Sequence, residues 1–134
     1  MNRHKLVMII DDVQIDRIIA QRVVAKYGFA EQTVAFEGAL DALKHLRENE
    51  NNMDLLPDVI FLDINMPEMN GFDFLDQYNL ISENLKKKSV IIMLTSSLLP
   101  EDMVRAQSSP YVQKFISKPL NEERLKSLEK ISGV

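Results

Sequence analysis

Short apolar runs alternate along the chain with longer stretches in which apolar residues recur at helical spacing. Leu6-Val7-Met8-Ile9-Ile10 is unbroken, as expected of a strand covered on both faces. Val59-Ile60-Phe61-Leu62 and Val90-Ile91-Ile92-Met93-Leu94 repeat that pattern. Gln32-Thr33-Val34-Ala35-Phe36 and residues 112–116 are weaker versions of it. Between the runs, Ile19, Ala20, Val23, Val24 and Tyr27 share a helical face, with Gly28 as its stop. Ala39, Ala42, Leu43 and Leu46 make a second such face, and Phe74, Tyr78, Ile81 and Leu85 a third. Pro100 suits the first turn of a fourth helix, with Glu101 and Asp102 at its positive end. Asn121 is placed to cap a last helix that turns Leu125, Leu128 and Ile131 to one side. The predicted order is strand then helix, five times over. Parallel strands need crossover connections, so the alternation predicts an α/β fold, a parallel sheet with helices on both faces.

At 134 residues the chain fits one domain, read as spanning 1–134 with no output domain. Its 46% hydrophobic and 27% charged residues exclude intrinsic disorder. The absence of Cys removes disulfide scaffolds, thiolate zinc sites and a cysteine nucleophile. A net charge of -4 argues against a domain whose main work is to hold a nucleic-acid backbone. No apolar run approaches the ~20 residues of a membrane span. The first run stops at Asp11 and Asp12, unlike a secretory signal, so a cytoplasmic protein is expected. Lys86-Lys87-Lys88 reads as a solvated helix end, with cations at the negative pole. His4 and His45 are expected to face solvent.

In an open parallel sheet, ligands bind beyond the carboxyl ends of the strands. Asp11 and Asp12 stand there after the first strand, Asp63 and then Asn65 after the third, Thr95 and Ser96 after the fourth, and Lys118 after the fifth. Three carboxylates in one cleft repel one another unless a cation intervenes. With oxygens only and no nearby His or Cys, the expected cation is hard, and Mg²⁺ is the expected ion. Lys118 adds a second positive charge and Thr95 a hydroxyl donor, a set suited to stabilising a phosphoryl group in transfer. Asp63 is then the best-placed nucleophile, since an Asp carboxylate can form an aspartyl-phosphate.

Asp11-Asp12, Asp63 within Leu62-Asp63-Ile64-Asn65-Met66-Pro67, Gly71, Thr95-Ser96 and Lys118-Pro119 together resemble the receiver domain of two-component response regulators. The likeness spans nearly the whole chain and is closest to single-domain, chemotaxis-regulator-like members. It implies a flavodoxin-like (βα)₅ fold with strand order 2-1-3-4-5. It implies Asp63 as phosphoacceptor, Mg²⁺ held by Asp11, Asp12, Asp63 and the backbone carbonyl of Asn65, and Lys118 on the phosphoryl oxygens. Pro119 would follow Lys118 through a cis peptide. Thr95 and Phe115 would be the switch pair. The implied partners are a sensor histidine kinase or histidine phosphotransfer protein and an unknown downstream protein. No DNA-binding domain and no membrane contact are expected, and a phosphorylation-dependent dimer is left open. Output is expected from the face made by the fourth helix, the fifth strand and the fifth helix, including Leu98, Leu99, Met103, Arg105, Tyr111, Gln113, Phe115 and Lys126. The chain reads as a switch and not an enzyme. An aspartyl-phosphate phosphatase commonly needs a second Asp where this chain has Asn65. A flavodoxin-like cofactor binder needs a phosphate loop where this chain has acidic residues. A receiver-shaped module that is never phosphorylated would be expected to lack one of these residues.

Overall fold

The computed structural model describes residues 4–97 and 99–129. Five strands, β1 (His4–Ile10), β2 (Ala30–Phe36), β3 (Val59–Leu62), β4 (Val90–Thr95) and β5 (Val112–Ser117), form one parallel sheet in the order β2-β1-β3-β4-β5. The helices are α1 (Gln14–Lys26), α2 (Ala39–Glu48), α3 (Gly71–Tyr78), α4 (Glu83–Lys88), α5 (Pro100–Gln107) and α6 (Glu122–Leu128). A 3₁₀ turn (Met53–Leu55) precedes β3.

The unbroken apolar runs have the reason expected of them: β3, β4 and the second half of β1 are buried on both faces, and the pleat sorts their residues. Met8, Ile10, Ile60, Leu62, Ile91 and Met93 pack with Ala42, Leu43, Leu46, Phe74, Tyr78, Leu85 and Ala106 from α2 to α5. The alternate residues Val7, Ile9, Val59, Phe61, Val90 and Ile92 pack with Ala20 and Val24 of α1 and Leu125 and Leu128 of α6. Ile131, expected on the last helix, and Leu98, expected on the output face, lie outside the described residues.

Helix ends follow local chemistry. Gly28 takes φ 64 after α1, where Phe29 N–H reaches Val24 O at 3.0 Å and Gly28 N–H reaches Ala25 O at 3.3 Å. Those two bonds make a Schellman stop, whose left-handed residue glycine adopts without strain. Pro100 opens α5, and Asn121 Oδ1 accepts from Arg124 N–H at 2.9 Å to cap α6.

The third apolar face belongs to two helices. Leu80 N–H bonds Gln77 O at 3.0 Å and Ile81 N–H bonds Tyr78 O at 3.1 Å, tight three-residue bonds that close α3. Ser82 Oγ then accepts from Leu85 N–H at 3.4 Å and starts α4. Ile81 and Leu85 stay buried across the break, so the spacing conceals it.

The histidines also differ from expectation. Each is half-buried against an aromatic ring, His4 on Phe29 at 4.8 Å between centroids and His45 on Phe36 at 5.3 Å. Tyr27, expected inward, caps α1 and is exposed. The lysine run ends α4, but only Lys87 is exposed: Lys86 pairs with Glu83 at 2.7 Å, and Lys88 reaches Met53 O and lies 3.8 Å from Asp58.

Candidate functional site

The strands end nearly level, and their ladders continue into the residues that follow. Ile10 stands beside both Phe36 and Leu62, Leu62 beside Met93, and Thr95 beside Ser117. Asp11 N–H then bonds Phe36 O at 3.1 Å, Asp63 N–H bonds Ile10 O at 3.0 Å, and Lys118 N–H bonds Thr95 O at 2.9 Å. The backbones of Asp11, Asp63 and Lys118 are therefore held by the sheet. Asp11 and Asp63 are buried and Asp12 is exposed, yet one carboxylate oxygen from each lies within 4.8 Å of the others.

Lys118 Nζ sits among these carboxylates. It lies 2.7 Å from Asp11 Oδ2, 2.9 Å from Asp16 Oδ2 and 3.5 Å from Asp63 Oδ2. Burial works against its charge, but the bonds to Asp11 and Asp16 and the charge of Asp63 win, so its pKa is raised. Burial raises the pKa of Asp11 despite its bond to Lys118. Burial first, then the charge of Asp11, pushes Asp63 up to about 6. One ammonium thus does not compensate four carboxylates. The Arg17 guanidinium on the rim donates to Asp11 O at 2.8 Å and is itself 3.8 Å from Glu37.

An under-compensated, oxygen-only cluster fits a hard divalent cation and gives a softer metal no favoured ligand. Asp11 is oriented further by Val13 N–H, which donates to its Oδ1 at 2.9 Å. Asn65 lies on the exposed loop after Asp63 and Ile64, with its backbone at the same edge.

That loop is pinned at its far end. Asn70 and Asp73 make a reciprocal capping box at the start of α3, and Gly71 N–H bonds Ile64 O at 2.8 Å. A Cβ on Gly71 would lie 2.5 Å from Asp63 O, so only glycine permits this approach. Glu68, within the loop, takes φ 66, and Met69 N–H reaches back to Pro67 O at 2.7 Å.

Thr95 is fully buried, and its Oγ1 accepts from Ser97 N–H at 3.1 Å. Phe115 is half-buried against the core, beside Met93 in register. It lines a groove of about 340 Å³ between α5 and β5 with Met103, Gln107 and Val112. The Lys118–Pro119 bond is cis.

The response regulator receiver domain family matches residues 7–129. The chain belongs to that family. This receiver is 30% identical to the chemotaxis protein CheY of Thermotoga maritima over 129 residues, covering 96% of this chain and 98% of that one. It is 31% identical to CheY of Listeria monocytogenes over 124 residues, 92% and 94% of the two chains. A two-component response regulator from Cytophaga hutchinsonii has a similar structure, with a TM-score of 0.87, 29% identity and 96% of each chain covered. It is thus a receiver of the two-component kind, CheY-like over its length, with the flavodoxin-like topology expected. None of its described helices is long and apolar enough to cross a membrane.

Asp16 was not among the expected site residues. Asp16 follows the Asp11-Asp12 pair after three uncharged residues, and its side chain turns back on Lys118, 102 residues away.

Proposed function

We propose that this receiver accepts a phosphoryl group on Asp63, with Mg²⁺, from a histidine kinase or a histidine phosphotransfer protein. The observation that carries the reading is a buried Asp63 carboxylate whose only nearby ammonium, among the described residues, is Lys118 at 3.5 Å. Ionised above about pH 6, Asp63 offers a carboxylate oxygen to phosphorus. The new bond joins that oxygen to phosphorus as the bond to the donor imidazole nitrogen breaks, its electron pair staying on the nitrogen. Lys118 neutralises charge on the transferring oxygens, and the Thr95 hydroxyl is a donor near the same edge. Asp11, Asp12, Asp63 and the Asn65 carbonyl would hold Mg²⁺. The ion supplies charge neutralisation for phosphoryl oxygens.

The product is a switch state, not a released product, so this receiver is read as a signalling switch and not an enzyme of turnover. Thr95 and Phe115 would report the new anion to the face of α5, β5 and α6, where a downstream protein reads it. Intact mass after incubation with acetyl phosphate and Mg²⁺ tests the reading. One phosphoryl group should appear on the parent and be absent with EDTA or in Asp63→Asn. A folded, Mg²⁺-binding parent that gains no mass from acetyl phosphate or from a phosphorylated histidine donor would sink it.

A further inference from the structure

The Lys118 ammonium has three N–H bonds to give and meets three carboxylates, but not equally. Asp11 at 2.7 Å and Asp16 at 2.9 Å are at hydrogen-bond distance, whereas Asp63 at 3.5 Å is not. Asp16 differs from the other two in place and in solvation. It lies in the first turn of α1, and its side chain is 30% exposed where those of Asp11 and Asp63 are 5%. Beside the pair, Ile19, Leu94, Pro119 and Leu120 leave a space of only about 10 Å³, room for one water at most. The Lys118 side chain is 11% exposed, so among the described residues its ammonium has few partners besides the carboxylates it already faces.

We propose that Asp16 is a positioning residue that acts through Lys118, holding the ammonium off Asp63 before phosphorylation and releasing it afterwards. The inference rests on the reading of Asp63 as phosphoacceptor. Phosphorylation replaces a single negative charge there by roughly two. The third N–H of Lys118 is free to reach the phosphoryl oxygens, and as the ammonium is drawn toward them its short bonds to Asp11 and Asp16 come under competition. Asp11 is 5% exposed and held in place by Val13 N–H, so it cannot turn to water in exchange for the ammonium. Releasing Asp16 lets water take the place of the ammonium, at a smaller cost. That cost falls on the phosphorylated state alone, and the charge of Asp16 also repels the new phosphoryl group. Asp16 thus favours the unphosphorylated state. Hydrolysis resets the pair: a water oxygen bonds to phosphorus, the phosphorus–oxygen bond to Asp63 breaks with its electrons left on the carboxylate, and the water proton leaves to solvent.

The test uses the full chain at saturating Mg²⁺, with beryllofluoride as the probe of the phosphorylated state. Parent, Asp16→Asn and Asp16→Glu are compared for beryllofluoride affinity and for the lifetime of the phosphoryl group taken from acetyl phosphate. Asp16→Asn should bind beryllofluoride about fivefold tighter and keep its phosphoryl group about fivefold longer, the size of one partly exposed ion pair. Asp16→Glu, which restores the charge, should return both values toward the parent. A role in packing alone would shift the melting temperature and leave both ratios unchanged. Equal or weaker binding by Asp16→Asn, beside a parent that binds beryllofluoride and gains mass, overturns the inference and leaves the phosphoacceptor reading intact. A parent that does neither takes down that reading, and the inference with it.

Discussion

Asp63 is buried, and at a cost. Its carboxyl is pushed up to about 6 from 3.8, so between those values the folded chain binds a proton that the unfolded chain releases. Stability therefore falls as pH rises through that window, and the cost is complete above about pH 6. The shift corresponds to about 3 kcal/mol at most. Asp63→Asn removes the ionisation, so in EDTA it should stabilise the chain by up to ~2 kcal/mol at pH 7.5 and hardly at all at pH 4. Urea unfolding at the two pH values measures this. An equal effect at both would show that the buried charge is not the cause. Asp11, Asp12 and Asp63 were legible in the sequence because they stand at the ends of apolar strands, whereas Asp16, in the first turn of α1, was not. The unequal sharing of Lys118 was not, because it depends on how α1 lies against the loop after β5.

At the scale of elements, two short devices set the site and the sheet cover. Gly71 lets α3 begin against the Asp63 carbonyl, where a Cβ would stand 2.5 Å away. Gly71→Ala should cost about 1–3 kcal/mol and slow phosphoryl uptake, because the helix start must retreat from the Asp63–Ile64 backbone. Urea midpoints and the rate of mass gain from acetyl phosphate check both halves. An alanine variant matching the parent in both would show that the loop gives way freely. Asn121 caps α6 with a 2.9 Å bond, whereas the Ser82 cap of α4 is longer at 3.4 Å. Asn121→Ala should cost about 1 kcal/mol and Ser82→Ala less. Thermal unfolding ranks them, and the reverse order would mean that bond length does not govern the caps here. The Asn121 cap was readable from residue type and position. The division of the third helix was not, because Phe74, Tyr78, Ile81 and Leu85 keep a helical spacing straight through the turn between α3 and α4.

For the whole molecule, charge and fold meet at one edge of the sheet. A divalent cation that binds only the assembled cluster must stabilise the folded chain, by about 2.7 kcal/mol at a hundred times its Kd. Mg²⁺ should therefore raise the melting temperature at pH 7.5, and the gain should shrink below pH 6 as Asp63 takes up its proton. Calorimetry with and without EDTA reads this directly, and a gain independent of pH would place the ion elsewhere.

The sequence by itself determined the alternation of elements, the sheet buried on both sides and the strand-end residues, because apolar periodicity and chain order are local properties. The likeness to receivers supplied the strand order that periodicity leaves open. Only the tertiary structure decided that α1 and α6 share one face of the sheet, that Gly71 touches the Asp63 backbone, and that Asp16 competes for Lys118. Those facts depend on how distant segments pack, and a linear pattern of apolar and polar residues does not contain the distance between them.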